Sequence, residues 1–369
     1  MVSWKFYEPP KLFFGKDALI ENGKLMKNLG KRAIVTTGKS SSVNGSLNDL
    51  EKVLSSLGID YEIYNKVGEN PSFDMLRDAR KVFENERIDF IVGLGGGSPM
   101  DFAKALGVLL ANPEIDVSDI YNTEKYDSMI PVVAVPTTSG TGSEVTQYSV
   151  ITDDEGYKGG FGTEFSFPTF SFADPKYTIT MPEKLTMSTG IDALCHAVEG
   201  FVSKRSSPIV RLLAAEAIKI IRDNLEKTMK NPENYDFREK MMYASTLAGI
   251  VIAQAGTTVN HAFGYPVTTF KGVRHGQATG MFLVETLKVM RKENEEIVMK
   301  VSEFFGGLDG LEEFLKSVGV YEADIEITDE DIRSWSERTS KAKHLRVTYG
   351  TFDFETVKRI YEKVREKLQ

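Results

Sequence analysis

The sequence contains few cysteines, few histidines and no long apolar run. Its 369 residues include one cysteine, Cys195, which excludes a disulfide framework and a thiolate zinc cluster and leads us to expect a reducing cytoplasm. No apolar run approaches the roughly 20 residues of a membrane-spanning helix, and the N-terminal residues lack the pattern of a signal peptide. The formal net charge of −8 argues against a nucleic-acid partner or a membrane surface.

The chain is long for one hydrophobic core, and its two halves have different sequence patterns. As far as about residue 135, short apolar runs alternate with helical stretches, which is typical of a Rossmann-like parallel sheet covered on both faces. After residue 182, long helical patterns predominate, one of them over 236–262, and strand patterns are almost absent. We therefore predict an α/β N-terminal domain at 1–181 and an all-α C-terminal domain at 182–369.

Three consecutive glycines, Gly95 to Gly97, stand between an apolar strand and a helix that begins near Pro99. Glycines let the backbone approach a phosphate closely, and a helix start offers unpaired N–H groups and partial positive charge to an anion. The segment predicts a pyrophosphate site, with a simple tight turn as the alternative. It differs from the usual dinucleotide fingerprint, because Ser98 occupies the third glycine position and the loop follows the third strand.

A second loop, PTTSGTGSEVT at 136–146, follows the next predicted strand and is rich in glycine and hydroxyl groups. It suits hydrogen bonds to phosphate or carboxamide, although Ser and Thr are also common in ordinary turns. Ligands of open α/β sheets bind at the carboxyl ends of the strands, so two such loops at neighbouring strand ends strengthen the nucleotide prediction. Neither loop has the P-loop pattern of phosphoryl transfer.

Three of the four histidines form a pattern with an aspartate that is typical of a metal site. Asp192 and His196 share a face if they lie on a helix, and His261 and His275 follow later. Carboxylate and imidazole ligands suit Fe²⁺ or Zn²⁺, and an open position on the metal would support Lewis-acid catalysis. An ordinary surface or core pair is the alternative for the spacing alone. The fourth histidine, His344, is predicted to lie on the surface in a basic turn.

Four segments resemble the iron-containing, or group III, alcohol dehydrogenase family in order and spacing over nearly the whole chain. They are GGGSPMDFAKA (95–105), PTTSGTGSEVT (136–146), TGIDALCHAVEG (189–200), and VNHAFGYP with VRHG (259–266 and 273–276). The resemblance implies a dehydroquinate synthase-like architecture, with a nucleotide-binding α/β domain and a helical metal-binding domain. It implies these metal ligands: Asp192, His196, His261 and His275. It also implies these nicotinamide-cofactor contacts: Asn70, Gly96, Gly97, Ser98, Asp101, Thr137, Thr138 and Lys158.

Two positions depart from the family pattern. Tyr265 stands where many members have a further histidine near the nicotinamide. A tyrosine can relay a proton from the alcohol, but its unperturbed pKa of roughly 10 makes it a poorer base at neutral pH, and a packing role is the alternative.

The second departure lies after the first Rossmann strand, where NAD-preferring members tend to carry an acid that binds the ribose hydroxyls. Gly38, Lys39, Ser40 and Ser41 occupy this stretch instead. Without the acid a 2′-phosphate is not repelled, and the lysine and the two serines can bind it. We therefore expect a preference for NADP(H) over NAD(H), with an ordinary surface turn as the alternative.

These expectations combine into a metal-dependent alcohol dehydrogenase or aldehyde reductase. It would use Fe²⁺ or Zn²⁺ and NADP(H), or NAD(H), on a small primary alcohol, diol or aldehyde. A glycerol dehydrogenase-like zinc enzyme remains an alternative. A dehydroquinate synthase-like lyase is a further one, but it needs several cations around a phosphorylated substrate, and only Lys271 and Arg274 stand near the mostly apolar ligand segments.

The N-terminal segment predicts two exposed strands with aromatic faces, at residues 4–8 and 12–15. Unpaired edge strands tend to find a partner, and the family resemblance implies that such strands pair across a dimer. We therefore expect a homodimer through the N-terminal strands.

Overall fold

The computed structural model describes residues 3–368, which form two compact units. The sheet unit contains residues 8–181 and 233–242. The helical unit contains residues 3–7, 182–232 and 243–368. Neither unit is continuous in sequence, because each takes a short segment from the other half of the chain.

The sheet unit is built on parallel strands. The strands are β1 (Lys11–Phe14), β2 (Arg32–Thr37), β3 (Asp60–Tyr64), β4 (Phe90–Gly95), β5 (Val132–Pro136), β6 (Ser149–Thr152), β7 (Lys158–Phe161) and β8 (Phe170–Ala173). Six of them form a sheet in the order β1-β8-β5-β4-β2-β3, in which all neighbours are parallel. The other two, β6 and β7, form a separate antiparallel pair.

Helices cover both faces of this sheet because its central strands are apolar on both sides. The helices are α1 (Ala18–Asn22), α2 (Ser46–Ser56), α3 (Phe73–Phe83) and α4 (Gly97–Ala111). Ile34 and Ile91 belong to one buried cluster with residues of α3 and α4. Val35 and Val92, one residue further along each strand, belong to a second cluster with residues of α1 and α2. This alternation confirms the predicted α/β architecture.

After residue 182 every regular element of the described chain is helical, as predicted. The helices are α5 (Glu183–Val202), α6 (Pro208–Lys230), α7 (Tyr235–Ala255), α8 (Val259–Lys271), α9 (His275–Gly280), α10 (Leu283–Met290), α11 (Glu295–Ser302), α12 (Leu308–Ser317), α13 (Asp329–Thr339) and α14 (Phe354–Leu368), with short 3-10 turns between some of them. The single helix expected over 236–262 is wrong, because the chain breaks at Gly256, whose φ of +68° ends α7.

Within residues 3–368 no single helix is long and apolar enough to cross a membrane. The bent pair of α7 and α8, with 115° between them, passes the same test of length and composition only when the two are taken together.

The N-terminal prediction is half right. Residues 4–8 form no strand, whereas β1 covers most of the second predicted segment and pairs with β8 at the edge of the main sheet. Strands β6, β7 and β8, and helix α13, were not predicted. Each of these strands is only four residues long, so its identity depends on a distant partner rather than on a local pattern.

Candidate functional site

The predicted metal ligands lie on three helices of the helical unit. Asp192 and His196 are one turn apart on α5, His261 lies in the first turn of α8, and His275 begins α9. Helix α9 approaches α5 closely at Gly276, where an added β-carbon would lie 1.8 Å from the Ser188 carbonyl oxygen. A glycine after His275 therefore lets the third ligand segment reach the first.

Three imidazole Nε2 atoms converge on one carboxylate oxygen. The Asp192 Oδ1 atom lies 3.8 Å from His196 Nε2, 3.7 Å from His261 Nε2 and 3.7 Å from His275 Nε2. Ligand atoms of Asp192, His261 and His275 all lie within 4.8 Å of one another, and the His196 ring stacks beside them on His261. A tetrahedral centre with bonds of about 2.1 Å separates its ligand atoms by about 3.4 Å, so the arrangement is close to the size of a metal site.

Asp192, His196, His261 and His275 are called the ligand cluster below. Two of its buried polar atoms lack a hydrogen-bond partner within the described part of the chain, which also fits a metal ion. Asp192 Oδ1 and His261 Nε2 are buried and have no hydrogen-bond partner among residues 3–368. An unsatisfied buried polar group costs about 1–3 kcal/mol, and a cation bound to both atoms would remove that penalty. Asp192, His196 and His261 are almost fully buried, whereas the His275 side chain is 29% exposed. Solvent therefore reaches the cluster on the His275 side.

Sequence reasoning did not identify Glu199, which is buried on α5 and orients His261. Its Oε1 lies 2.5 Å from His261 Nδ1. Its carboxylate also accepts hydrogen bonds from Thr258 N and Oγ1, at 2.7 Å each, and from Asn260 Nδ2 at 3.1 Å. A proton on Nδ1 leaves the Nε2 lone pair directed at the cluster. The available sequence signal was the spacing of seven residues from Asp192, which places both acids on one helix face.

Charges within the cluster favour a cation. Burial alone would raise the pKa of Asp192 and of Glu199, but the neighbouring imidazoles hold the pKa of both carboxyl groups below their usual values. Burial alone would lower the pKa of His261, yet Glu199 and Asp192 raise it. The two carboxylates that favour a proton on His261 would equally favour a divalent cation in its place.

Tyr265 packs against the ligands from α8. Its ring stacks on His275 with centroids 5.6 Å apart, and it meets the ring of His344 edge-on at 5.9 Å. His344 lies in a 3-10 turn at Lys343–Val347, in agreement with the predicted basic turn, but it is only partly exposed. Its Nδ1 is buried and has no hydrogen-bond partner among the residues that the structure describes, and burial lowers its pKa to about 4. Burial therefore favours the neutral form of His344, whose ring borders Tyr265 beside the ligands.

The two predicted cofactor loops lie side by side in the sheet unit. Strands β4 and β5 are neighbours, and Thr137 N donates to the Gly95 carbonyl at 2.8 Å. An added β-carbon at Gly97 would lie 2.7 Å from Thr141 Cγ2, so a side chain there would force the loops apart. The N-cap residue of α4 is Gly96, which has no side chain to accept a bond from the first N–H groups of the helix. The first N–H groups of this helix therefore suit an anion.

The other predicted contacts lie around these loops. Thr137 is buried and Thr138 partly buried beyond β5, and Lys158 begins β7. Asn70 lies between β3 and α3 with φ +57°, a conformation that non-glycine residues rarely adopt and that is often found at functional sites. The carboxylate of Asp101, a further predicted contact, accepts hydrogen bonds from Ser143 Oγ at 2.6 Å and from Val150 N at 2.9 Å.

The segment predicted to bind a 2′-phosphate follows β2. Gly38 precedes a 3-10 turn at Lys39–Ser42, in which Lys39 and Ser40 are exposed. Ser41 is fully buried, and its Oγ donates to the Leu94 carbonyl at 3.3 Å. The expectation that both serines are available to a phosphate is therefore wrong for Ser41, and Lys39 and Ser40 remain.

Comparison with known proteins places the chain in a family. The family model for "Iron-containing alcohol dehydrogenase" matches residues 9–175, and that for "Fe-containing alcohol dehydrogenase family, C-terminal" matches residues 186–365. The chain therefore belongs to the iron-containing alcohol dehydrogenase family, a family of oxidoreductases.

The chain is similar to a solved structure and to individual relatives of known sequence. The fold matches the crystal structure of an iron-containing alcohol dehydrogenase from Thermotoga maritima with a TM-score of 0.95 and 49% identity, over 99% of this chain and 100% of that one. An NAD-dependent methanol dehydrogenase of Bacillus methanolicus is 34% identical over 73% of this chain and 72% of its own. An NADPH-dependent butanol dehydrogenase of Clostridium saccharobutylicum is 31% identical over 81% and 77%. The names of these relatives thus include both cofactor types.

Proposed function

We propose that the protein is a metal-dependent alcohol dehydrogenase that transfers hydride reversibly between NADP(H) and a small primary alcohol, diol or aldehyde. The observation that carries the proposal is the convergence of three Nε2 atoms on the buried Asp192 Oδ1. Membership of the family and the paired loops at β4 and β5 support it. In this proposal residues 1–181 supply the nucleotide site and residues 182–369 supply the metal site.

In the metal site, the side chains of Asp192, His196, His261 and His275 would bind the ion. Bound Fe²⁺ or Zn²⁺ supplies Lewis acidity that polarises an alcohol or aldehyde oxygen. Glu199 holds the Nδ1 proton of His261, which keeps Nε2 available as a ligand. The mostly buried side chains of the cluster limit the access of bulk water.

In the nucleotide site, the start of α4 binds the pyrophosphate through its backbone N–H groups, and Gly96 and Gly97 allow the close approach. The predicted contacts Thr137 and Thr138 would face the ribose or the nicotinamide carboxamide, and of the two Thr138 is the more exposed. The cofactor carries the redox chemistry, and the protein orients it.

The surroundings of the metal ligands favour a small neutral substrate. Lys271, one of the two cations that neighbour the ligand segments in sequence, donates to Asp331 Oδ2 at 2.6 Å and is thereby engaged within the protein. A phosphorylated acidic substrate would require several available cations. This observation argues against the lyase alternative.

The NADP(H) preference rests on Lys39 and Ser40, which are exposed after β2 in a stretch without an acidic side chain. A lysine there can pair with the 2′-phosphate. We expect kcat/KM to be higher for NADP⁺ than for NAD⁺, and the reverse order would overturn this part of the proposal.

The proposal is tested on protein purified anaerobically, stripped of metal and reloaded with Fe²⁺ or Zn²⁺. NADPH oxidation with a panel of short aldehydes should require the metal. His196→Ala should abolish metal binding and activity while retaining NADPH affinity, which separates the two sites. Full activity of the stripped protein would contradict metal-dependent catalysis, and activity restricted to glycerol with Zn²⁺ would favour the glycerol dehydrogenase alternative.

We also propose a homodimer formed through the N-terminal strand region. Strand β1 is at the edge of the six-stranded sheet, with β8 on one side only. Phe14 at its end and Trp4 before it are exposed aromatic side chains. Sedimentation velocity at micromolar concentration should show a dimer, and a monomer would refute this point.

A further inference from the structure

Lys104 is a fully buried lysine on α4, outside the metal ligands and the predicted cofactor contacts. Its Nζ has three N–H groups and lies within hydrogen-bond distance of four oxygen atoms. These are the carbonyl oxygen and Oγ of Ser143, both at 2.8 Å, the Thr146 carbonyl oxygen at 2.9 Å and the Tyr148 carbonyl oxygen at 2.8 Å. An ammonium group without such acceptors could not remain charged in the interior. Even with them, burial lowers its pKa to about 8.

Ser143 links Lys104 to Asp101. The Ser143 Oγ accepts from Lys104 Nζ and donates to Asp101 Oδ1 at 2.6 Å. Asp101 also accepts from Val150 N through Oδ2, at 2.9 Å, and from Ser149 Oγ through its carbonyl oxygen, at 2.8 Å. Asp101 and Lys104 are three residues apart on α4 and share a face. That face therefore binds the whole segment 143–150.

The segment held by this face continues directly from the hydroxyl-rich loop at 137–142. The other end of that loop is fixed where Thr137 N donates to the Gly95 carbonyl at 2.8 Å. Between these two attachments, Thr138 and Thr141 contact the positions of Gly96 and Gly97. The loop that would bind the cofactor is thus fixed at both ends to the strand and helix that carry the glycine loop.

We infer that Lys104 is a positioning residue for the nicotinamide cofactor, whose buried ammonium group holds the hydroxyl-rich loop against the glycine loop so that the two form one preorganised site. The inference rests on the proposed function. Preorganised loops lose less conformational freedom when a ligand binds. Removal of the ammonium group should therefore weaken cofactor binding, while the ligand cluster of the helical unit keeps its affinity for a metal ion.

The test compares two variants that each remove a buried cation from the sheet unit. Lys104→Met removes the charge and every N–H donor while keeping a similar side-chain length. We expect the Kd for NADPH, measured by calorimetry, to rise about tenfold or more. We expect the Kd for Co²⁺ to change by less than about twofold, since no Co²⁺ ligand is touched. KM for NADPH should change more than kcat measured at saturating cofactor.

Arg238→Met is the matched control. Arg238 is fully buried as well, and its guanidinium donates to the Met181 carbonyl oxygen at 2.9 Å. Its loss leaves a buried carbonyl oxygen without a donor, as Lys104→Met does, and should therefore lower the melting temperature. The Kd for NADPH should not change. This comparison separates loop positioning from general stability.

Ser143→Ala provides a milder variant in case Lys104→Met fails to fold. It removes the hydroxyl group that links Asp101 to Lys104, whereas the backbone carbonyl oxygens still accept from the ammonium group. We expect the Kd for NADPH to rise about threefold. An unchanged Kd in every variant that folds, with only a lowered melting temperature, would overturn the inference. If the wild-type protein binds neither NADPH nor NADH, the proposed function itself fails, which is a separate outcome.

Discussion

The Glu199 carboxylate lies 2.5 Å from His261 Nδ1, and this contact determines which nitrogen of His261 faces the other ligands. Thr258 and Asn260 hold the carboxylate in place through three further hydrogen bonds. A carboxylate in this position both orients a ligating imidazole and makes it a stronger donor to a metal. The rigidity of the cluster therefore depends on a residue outside the ligand set.

The first prediction is that Glu199→Gln weakens metal binding. The amide keeps the shape of the side chain but has no negative charge, so we expect the Kd for Co²⁺ to rise about 10- to 100-fold. The Kd is measured by competition with a chelator in metal-stripped protein. Glu285→Gln, which changes a buried carboxylate on α10, is the control and should leave the Kd unchanged. Equal affinity in wild type and Glu199→Gln would show that Glu199 does not orient His261.

The sequence predicted those parts of the site that depend on residues close together in the chain, and missed those that depend on distant residues. Asp192 and His196 are four residues apart, so helical periodicity alone places them on one face. Glu199 was missed because its function depends on Thr258 and His261, about 60 residues away. A single acid in a helix has no local pattern that distinguishes a buried orienting group from a solvated one.

Prediction of the fold was limited in the same way, by contacts between segments that are distant in sequence. Apolar runs such as the one at β4 predicted the central strands, since burial on both faces leaves a continuous local pattern. The four-residue strand β8 was missed, although it lies between β1 and β5 in the sheet. Residues 4–8 have an aromatic pattern typical of a strand but form none. In both cases the outcome depends on a partner strand, which a single segment does not specify.

The second prediction concerns the cofactor preference. Lys39 is exposed in the turn after β2, and Lys39→Glu replaces attraction of a 2′-phosphate by repulsion. We expect kcat/KM for NADP⁺ to fall about 10- to 100-fold, with a much smaller change for NAD⁺. The ratio of the two values is the measurement. Ser41→Ala is the control, because this buried serine donates to the Leu94 carbonyl and not to solvent. An unchanged ratio in Lys39→Glu would assign the preference to other residues.

The third prediction concerns a network of ion pairs between α10 and α14. Glu285 is buried and accepts from Lys288 and Lys367 at 2.9 Å and from Lys363 at 3.2 Å. Burial alone would raise the pKa of Glu285, but the lysines lower it to about 2. Since the pKa is depressed in the folded state, the stabilisation is complete above the unfolded value of about 4.5 and is lost as the pH falls towards 2.

Glu285→Gln should therefore destabilise the protein in a pH-dependent way. We expect the free energy of unfolding in urea at pH 7 to fall by about 2 kcal/mol, between the values for exposed and buried pairs. The difference from wild type should shrink between pH 4.5 and pH 3. Glu295→Gln, in an exposed pair with Arg291, should change the stability by less than about 0.5 kcal/mol. A difference that stays constant with pH would contradict the role of the ionised carboxylate.

The last prediction separates packing from proton transfer at Tyr265. The ring stacks on His275 and meets His261 and His344 edge-on, so we propose that the ring, rather than the hydroxyl group, is what the site needs. Tyr265→Phe keeps the ring, and we expect kcat for aldehyde reduction to stay within about threefold of wild type, whereas loss of a general acid or base costs about 100-fold or more.

Tyr265→Ala removes the ring, and the more exposed ligand His275 then loses its packing partner. We expect the Kd for Co²⁺ to rise about three- to tenfold, the range that an aromatic pair contributes. A large fall in kcat with Tyr265→Phe, accompanied by a shifted pH–rate profile and an unchanged Kd for Co²⁺, would show instead that the hydroxyl group transfers the proton. In that case the tyrosine would act in place of the histidine that many members of the family have at this position.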